Sequence, residues 1–351
     1  MAHFLHKNSP LRIFFFSVFF SLALFGLSIY ELGLAVLPIL VTLVVIEVTF
    51  SFENAIINAK ILTKLNQFWQ TMFLTIGILI AIFGMRIVFP ILIVSLASGL
   101  SWQSVLDLAL NNPDEYSAQL SEAYPLIAGF GGGFLSMLGL SFFLDKHKKV
   151  HWFKKLEKFA LKFSTAWMPA ILSAALVGLF AILPQNEYPR DTIMAGAVGI
   201  VTFMVIHGLS DYFGKLEEKS LAKKAKNAKI GGFAGLLTFL YLEVLDASFS
   251  LDGVIGAFAI TDQVILIAVG LGIGAIWVRS MTVYMVRRGT LGNYQFLEHG
   301  AHYTVIVLAL TMFISELYHI PEFIAGLIGI TLIVSSIVAS KKGRRRNKVR
   351  V

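Results

Sequence analysis

Apolar residues run through this chain in long uninterrupted blocks, and polar residues gather in the short gaps between them. Each block is about 20 residues long, enough for a helix to cross roughly 30 Å of hydrocarbon. The pattern predicts ten spans, at roughly 11–30, 32–59, 70–98, 125–144, 164–183, 191–210, 231–257, 263–286, 301–319 and 321–339. An all-α polytopic membrane bundle follows, a single membrane domain over 1–351. The first span, preceded by Lys7 and Arg12, lacks a small-x-small cleavage site and reads as an anchor that is kept. Residues 99–124 read as a solvated outer connector carrying Asp107, Asp114, Glu115 and Glu122 but no Lys or Arg.

Composition agrees with the pattern. Of 351 residues, 57% are hydrophobic and 14% charged, and the mean hydropathy is +0.77, far from a water-soluble domain. With no cysteine, disulfides, thiolate metal sites and cysteine nucleophiles are excluded, so any bound metal must use oxygen or imidazole ligands. The net charge of +8 does not imply nucleic acid, because its distribution follows membrane topology. With the N-terminus in the cytoplasm, 26 of the 29 Lys and Arg residues fall in inner segments and Arg190 alone in an outer one. That asymmetry predicts both termini on the cytoplasmic side of an inner or plasma membrane. Residues 146–162 interleave seven lysines with Trp152, Phe153, Leu156, Phe159 and Ala160, the pattern of an interfacial amphipathic helix on anionic lipid. The basic tail, 340–351, reads as a topology signal whose cations at 341–350 meet anionic headgroups.

An internal repeat stands out in the second and seventh spans. EVTFSFENAI from Glu47 and DASFSLDGVI from Asp246 align so that Glu47 meets Asp246, Ser51 meets Ser250 and Glu53 meets Asp252. The spans that follow each carry one arginine in apolar surroundings, Arg86 and Arg279. Spans two to four (32–144) and seven to nine (231–319) are therefore predicted to be repeats. An odd number of crossings separates them, so the copies would be inverted, the plan of many secondary transporters.

Five acids, Glu47, Glu53, Glu243, Asp246 and Asp252, lie in these spans against two arginines. Each unpaired charge at the bilayer centre costs at least about 2.5–3.5 kcal/mol, so the surplus points to protons or bound cations. Six residues turn an ideal helix by a net ~240°, so the paired acids converge only if the helix bends near Ser51 and near Ser248, Ser250 and Gly253. Carboxylates with Asn54 form a hard oxygen set suited to Mn²⁺, Mg²⁺ or Ca²⁺ as a transported ion, with no tightly bound cofactor. Arg86 and Arg279 would hold the acids when no metal is bound. His207, Asp211, Glu298, His299 and His302 are candidate gate or proton-relay groups. Three functions stay open: a carrier, a metal-binding scaffold or sensor, and an intramembrane aspartyl hydrolase. The last lacks the Gly-x-Gly-Asp motif, and no other catalytic signature is present, so the chain does not read as an enzyme.

SFENAI at 51–56, EVLDASFSLDGVIGAFAIT at 243–261 and FLEHGAHYTVIVLALTMFIS with IPEF near the end resemble the TerC superfamily, in its branch known as domain-of-unknown-function family 475. The resemblance covers most of the chain from about residue 35. It implies inverted three-helix repeats of the lysine-exporter class and an association with tellurium-compound resistance and manganese export. Carried over by position, its acidic motif residues are Glu53, Asn54, Asp246 and Asp252. Relatives commonly read Asp-Asn-Ala and Asp-Ser-Ile-Pro at the two motifs, where this chain has Glu53-Asn54-Ala55 and Asp252-Gly253-Val254-Ile255.

Overall fold

The structure, a computed structural model, describes residues 9–222, 229–258, 260, 261, 263–318, 320 and 322–349; the side chain of Asp252 is outside the described set. The chain is all-helical among these residues. In order come α1 (Pro10–Leu32), a short 3₁₀ turn, α2 (Leu37–Phe50), α3 (Phe52–Leu62), α4 (Gln67–Leu74), α5 (Ile76–Leu79), a π-helix (Ile80–Val88) and α6 (Phe89–Ser98). Next are α7 (Trp102–Asn111), α8 (Pro113–Glu122), α9 (Tyr124–Phe143), α10 (Lys154–Lys162), α11 (Met168–Ala181) and α12 (Pro189–Ala222). The chain ends with α13 (Gly232–Ala257), α14 (Val264–Arg288), α15 (Thr290–Asn293), α16 (Leu297–Leu317) and α17 (Glu322–Val349).

Among the described residues eight helical stretches are long and apolar enough to cross a membrane, and the bent pair α2 and α3, taken as one span, makes a ninth. The fifth expected span, 164–183, is represented only by α11, whose 14 residues reach about 21 Å, short of the hydrocarbon thickness. The segment 99–124 departs from the expected solvated connector. It folds into α7 and α8, which bury Val105, Ala109, Tyr116 and Leu120, because those residues recur at helical spacing. Gly99, at φ +72°, stops α6 in a left-handed turn whose N–H bonds Ser95 O. Helix α17 continues through Val349, so the described part of the basic tail is helical.

The chain forms two compact units. One comprises Met1–Tyr124 with Ile206–Arg288, and the other Pro125–Val205 with Gly289–Val351. The first unit holds the opening two spans of each sequence repeat, and the second holds the third span of each. In the first unit α14 packs along α2 and α3, and α13 along the π-helix. A parallel bridge joins the stretches entering α4 and α13, with Asn66 N donating to Ile230 O and Ile230 N to Lys64 O. The expected anchor, α1, lies on α14, held by Ser17 Oγ 2.6 Å from Ser280 Oγ and by Trp277 Nε1 donating to Ser21 Oγ. In the second unit α9 meets the first half of α12 at glycines. A Cβ on Gly133 would lie 2.5 Å from Gly196 O, so the two backbones touch as small-residue membrane interfaces do.

Candidate functional site

All the described acids of the repeat motif lie in the first unit. Helix α2 ends at Phe50 and α3 starts at Phe52; Ser51 between them leaves the helical region (φ −95°, ψ 14°), and the axis bends by 49°. The bend expected in the first half is present. It puts Glu47 in the last turn of one helix and Glu53 in the first turn of the next. Glu47 is buried and accepts from Arg86 Nη2 at 2.5 Å and from Ser51 Oγ at 3.1 Å. Arg86 reaches it from the π-helix, an unusually wide coil that sequence periodicity does not reveal, and its Nη1 donates back to Ala81 O. Gly274 of α14 admits the stem of Glu47, since a Cβ there would sit 2.5 Å from Glu47 Cβ and Cγ.

The second half departs from expectation. Helix α13 runs unbroken through Ser248, Ser250 and Gly253, without the break expected there. Ser248 Oγ merely donates to Val244 O one turn back, and no proline interrupts the ladder. Six residues of continuous helix therefore place positions 246 and 252 about 120° apart around one axis. Glu243 and Asp246, three residues apart, share a face and both meet Arg279. Its Nη2 lies 2.8 Å from Asp246 Oδ2 and 3.2 Å from Glu243 Oε2. Nη1 donates to Phe73 O at 2.8 Å, and the guanidinium stacks 4.2 Å from the Phe73 ring centroid. Gly77 is the matching gap, because a Cβ there would collide with the Arg279 guanidinium and the Glu243 carboxylate. Residues placed in register by the repeat thus make corresponding pairs, Glu47 with Arg86 and Asp246 with Arg279.

Among the described residues a hydrogen bond links the two motifs: Asn54 Nδ2 donates to Asp246 Oδ1 at 2.5 Å. Asn54 Oδ1, Asn58 Oδ1 and Ser250 Oγ are buried without a hydrogen-bond partner among the described residues. Glu53 is 5% exposed and makes no ion pair among the described residues. These are hard oxygen atoms of the kind a divalent cation takes. Among the described residues, however, no three His, Asp or Glu side chains are placed to hold one metal ion together. The arginines occupy the carboxylates instead.

The candidate gate groups fall elsewhere. His207 Nε2 lies 3.5 Å from Asp211 Oδ2 in a pair that is well exposed, 38% and 49%. Glu298, His299 and His302 belong to the second unit. There His302 stacks on Phe142 at 3.8 Å, with Nδ1 2.7 Å from Glu298 O, and His299 Nε2 lies 2.8 Å from Val150 O. Two carboxylates of this unit, Glu316 partly buried and Glu157 buried, escaped the sequence reading. Glu316 of α16 accepts from Thr192 Oγ1 and Asn186 Nδ2, with Oε2 left unpartnered. Glu157, 1% exposed, lies among Lys148, His151, His299 and Tyr303. Its signal was its isolation, one acid within a run of seven lysines.

A family model described as a protein of unknown function, DUF475, matches residues 52–347, which include both acidic motifs apart from Glu47. Comparison with curated proteins and with solved structures finds no match.

Proposed function

The chain belongs to the DUF475 family of proteins of unknown function, and from that premise we propose that it is a transporter of a hard divalent cation, exporting Mn²⁺ or a similar ion such as Mg²⁺ or Ca²⁺. Its setting in this reading is an inner or plasma membrane, with both termini cytoplasmic. The observation that carries the reading is Glu53: a carboxylate buried without an arginine, next in sequence to Asn54 and five residues from Asn58, whose amide oxygens lack partners. A hard cation supplies what all three lack. The resemblance to the TerC superfamily, with its manganese and tellurium-resistance associations, points the same way.

The chemistry is an exchange of counter-charges. Glu47 and Asp246 are neutralised by Arg86 and Arg279, and a buried carboxylate that leaves its arginine is costly unless another positive charge replaces it at once. A metal ion or a proton meets that requirement. Alternation between the two gives export coupled to proton entry, with the inverted repeats providing access from either side. Asp252 takes part in this scheme by its place in the motif, and Glu243 as a proton acceptor. No covalent chemistry is required, and the protein is read as a carrier, not an enzyme.

The test is flux of Mn²⁺, Mg²⁺ and Ca²⁺ in proteoliposomes holding the purified chain, compared with Glu53→Gln, Asp252→Asn and Glu47→Gln. Loss of flux in folded Glu53→Gln protein is expected. Undiminished flux in Glu53→Gln and Asp252→Asn would reject the assignment. Saturable metal binding without flux in the parent would make the protein a sensor or scaffold.

A further inference from the structure

The segment 146–162 is not one amphipathic helix as its sequence suggests. Only Lys154–Lys162 is helical, and of the residues just before it Lys148, His151 and Trp152 are partly buried. Trp152 stacks near Phe153, Phe296 and Tyr303, away from the lipid-facing role its composition suggests. Glu157 is the anchor. Its Oε1 accepts from the N–H groups of Trp152 and Phe153, both at 3.1 Å, and from Tyr303 Oη at 3.2 Å. Its Oε2 lies 2.9 Å from Lys148 Nζ, 3.2 Å from His151 Nδ1 and 3.6 Å from His299 Nε2. Lys148 in turn lies over the Phe142 ring at 4.6 Å. The carboxylate therefore folds the two residues that precede α10 back onto the helix and ties it to Tyr303 and His299 of α16.

That anchoring sorts the helix into three sectors. At ~100° per residue from Lys154, the docked residues Glu157, Ala160 and Leu161 fall at about 240–340°. The four lysines Lys154, Lys155, Lys158 and Lys162, all exposed, fall at about 0–100°. Leu156, Phe159 and Phe163 fall at about 140–200°, and they are 59%, 59% and 53% exposed. An apolar stripe on the outside of the protein thus adjoins a stripe of four cations, while the one acid of the helix is turned inward and already neutralised.

We infer that α10 is a docking surface for an anionic phospholipid leaflet, with Leu156, Phe159 and Phe163 set among acyl chains and Lys154, Lys155, Lys158 and Lys162 on the headgroup phosphates. Charge complementarity selects the lipid: four exposed lysines repel one another and would repel the same face of a second copy, whereas anionic headgroups satisfy all four. Glu157 fixes the rotation of the helix so that both stripes reach the same surface. The inference stands apart from the transport reading, because it involves the second unit alone.

The chain has no cysteine, so Phe159→Cys in the full-length protein carries a single environment-sensitive fluorophore at an exposed position. In nanodiscs of phosphatidylcholine containing phosphatidylglycerol, the emission is expected to be blue-shifted relative to phosphatidylcholine alone. Changing the four lysines to Gln should abolish the difference between the two lipids while leaving thermal unfolding unchanged. Water-like emission in both lipids, equal emission in both with the lysines intact, or a shift that tracks the number of protein copies per disc would each overturn the inference.

Discussion

Arg86→Met separates a structural ion pair from a transport site. The substitution keeps most of the side-chain volume and removes the charge that faces Glu47 at 2.5 Å, in surroundings where both side chains are at most 6% exposed. Breaking a buried pair on one side costs about 3–5 kcal/mol. An independent bound comes from proton uptake. An unpaired carboxyl escapes its penalty by binding a proton, at about 1.36 kcal/mol for each pH unit above an ordinary value near 4.3, or about 3.7 kcal/mol at pH 7. At pH 5.5 the same bound is about 1.6 kcal/mol, so roughly 2 kcal/mol of the loss should be recovered on acidification. The Ala81 carbonyl also loses its donor, about 1 kcal/mol that does not depend on pH. Thermal unfolding of the purified variant at the two pH values measures both parts. Adding Glu47→Gln to Arg86→Met should restore stability at pH 7. If Glu47 serves only to neutralise Arg86, the double variant also recovers Mn²⁺ flux; if Glu47 meets the cation, flux stays lost. An Arg86→Met protein destabilised by less than about 1 kcal/mol, or equally at both pH values, would refute the view that Arg86 holds Glu47 as a buried anion.

Other outcomes follow from single contacts. Gly274→Ala drives a methyl into Glu47 Cβ and Cγ and should cost about 1–3 kcal/mol by overpacking, whereas Gly26→Ala in α1, with nothing within 4 Å, should gain up to about 1 kcal/mol; melting curves compare the two. Ser17→Ala and Ser280→Ala should each lose about 0.6–1.7 kcal/mol and the double variant no more than either, whereas additive losses would mean that the 2.6 Å contact contributes nothing. Burial alone would raise the pKa of Glu157, but Lys148, by hydrogen bond and charge, then the charge of His299 and the Phe153 N–H hold it below the ordinary carboxylate value. Glu157 therefore stabilises its segment above about pH 4.3 and loses that contribution as the pH falls through the lowered folded value; amide exchange over 150–164 should accelerate there in the parent and not in Glu157→Gln.

The membrane class, most span positions and the acidic motif were legible in the sequence because each rests on a local signal: block hydropathy, the two ten-residue copies, and acids where lipid forbids them. Pairing partners were partly legible, since charge balance alone led to Arg86 and Arg279. What escaped was set by tertiary context. The π-helix around Arg86 has no compositional mark. The inward turn of Glu157 contradicts the solvated face that its lysine neighbours suggest, because the aromatic rings of Phe296 and Tyr303 that receive this segment lie about 140 residues away in the chain. The absent break in α13 was visible in outline, as Gly253 and Ile255 stand where relatives carry Ser and Pro, yet a glycine alone does not break a helix whose neighbours pack it.

That asymmetry between the halves accounts for how the charges are distributed. In the second half one arginine serves two acids, Glu243 and Asp246. In the first half Arg86 serves Glu47 alone, and Glu53 is left to the first turn of α3. A helix start carries about half a positive charge and several unpaired N–H groups, which favour an anion there. The break at Ser51 creates that start, so the bend substitutes in part for a missing arginine. It substitutes incompletely, which leaves Glu53 the described acid most in need of a further cation. Ser51→Ala favours a continuous helix across 47–55 and should remove the terminus, destabilising the protein and weakening metal binding together. Glu53→Gln added to Ser51→Ala should then recover the stability without the metal binding. If Ser51→Ala leaves metal affinity intact, or if Glu53→Gln deepens its instability, the terminus is not what holds Glu53, and the connection drawn between backbone break and cation site fails.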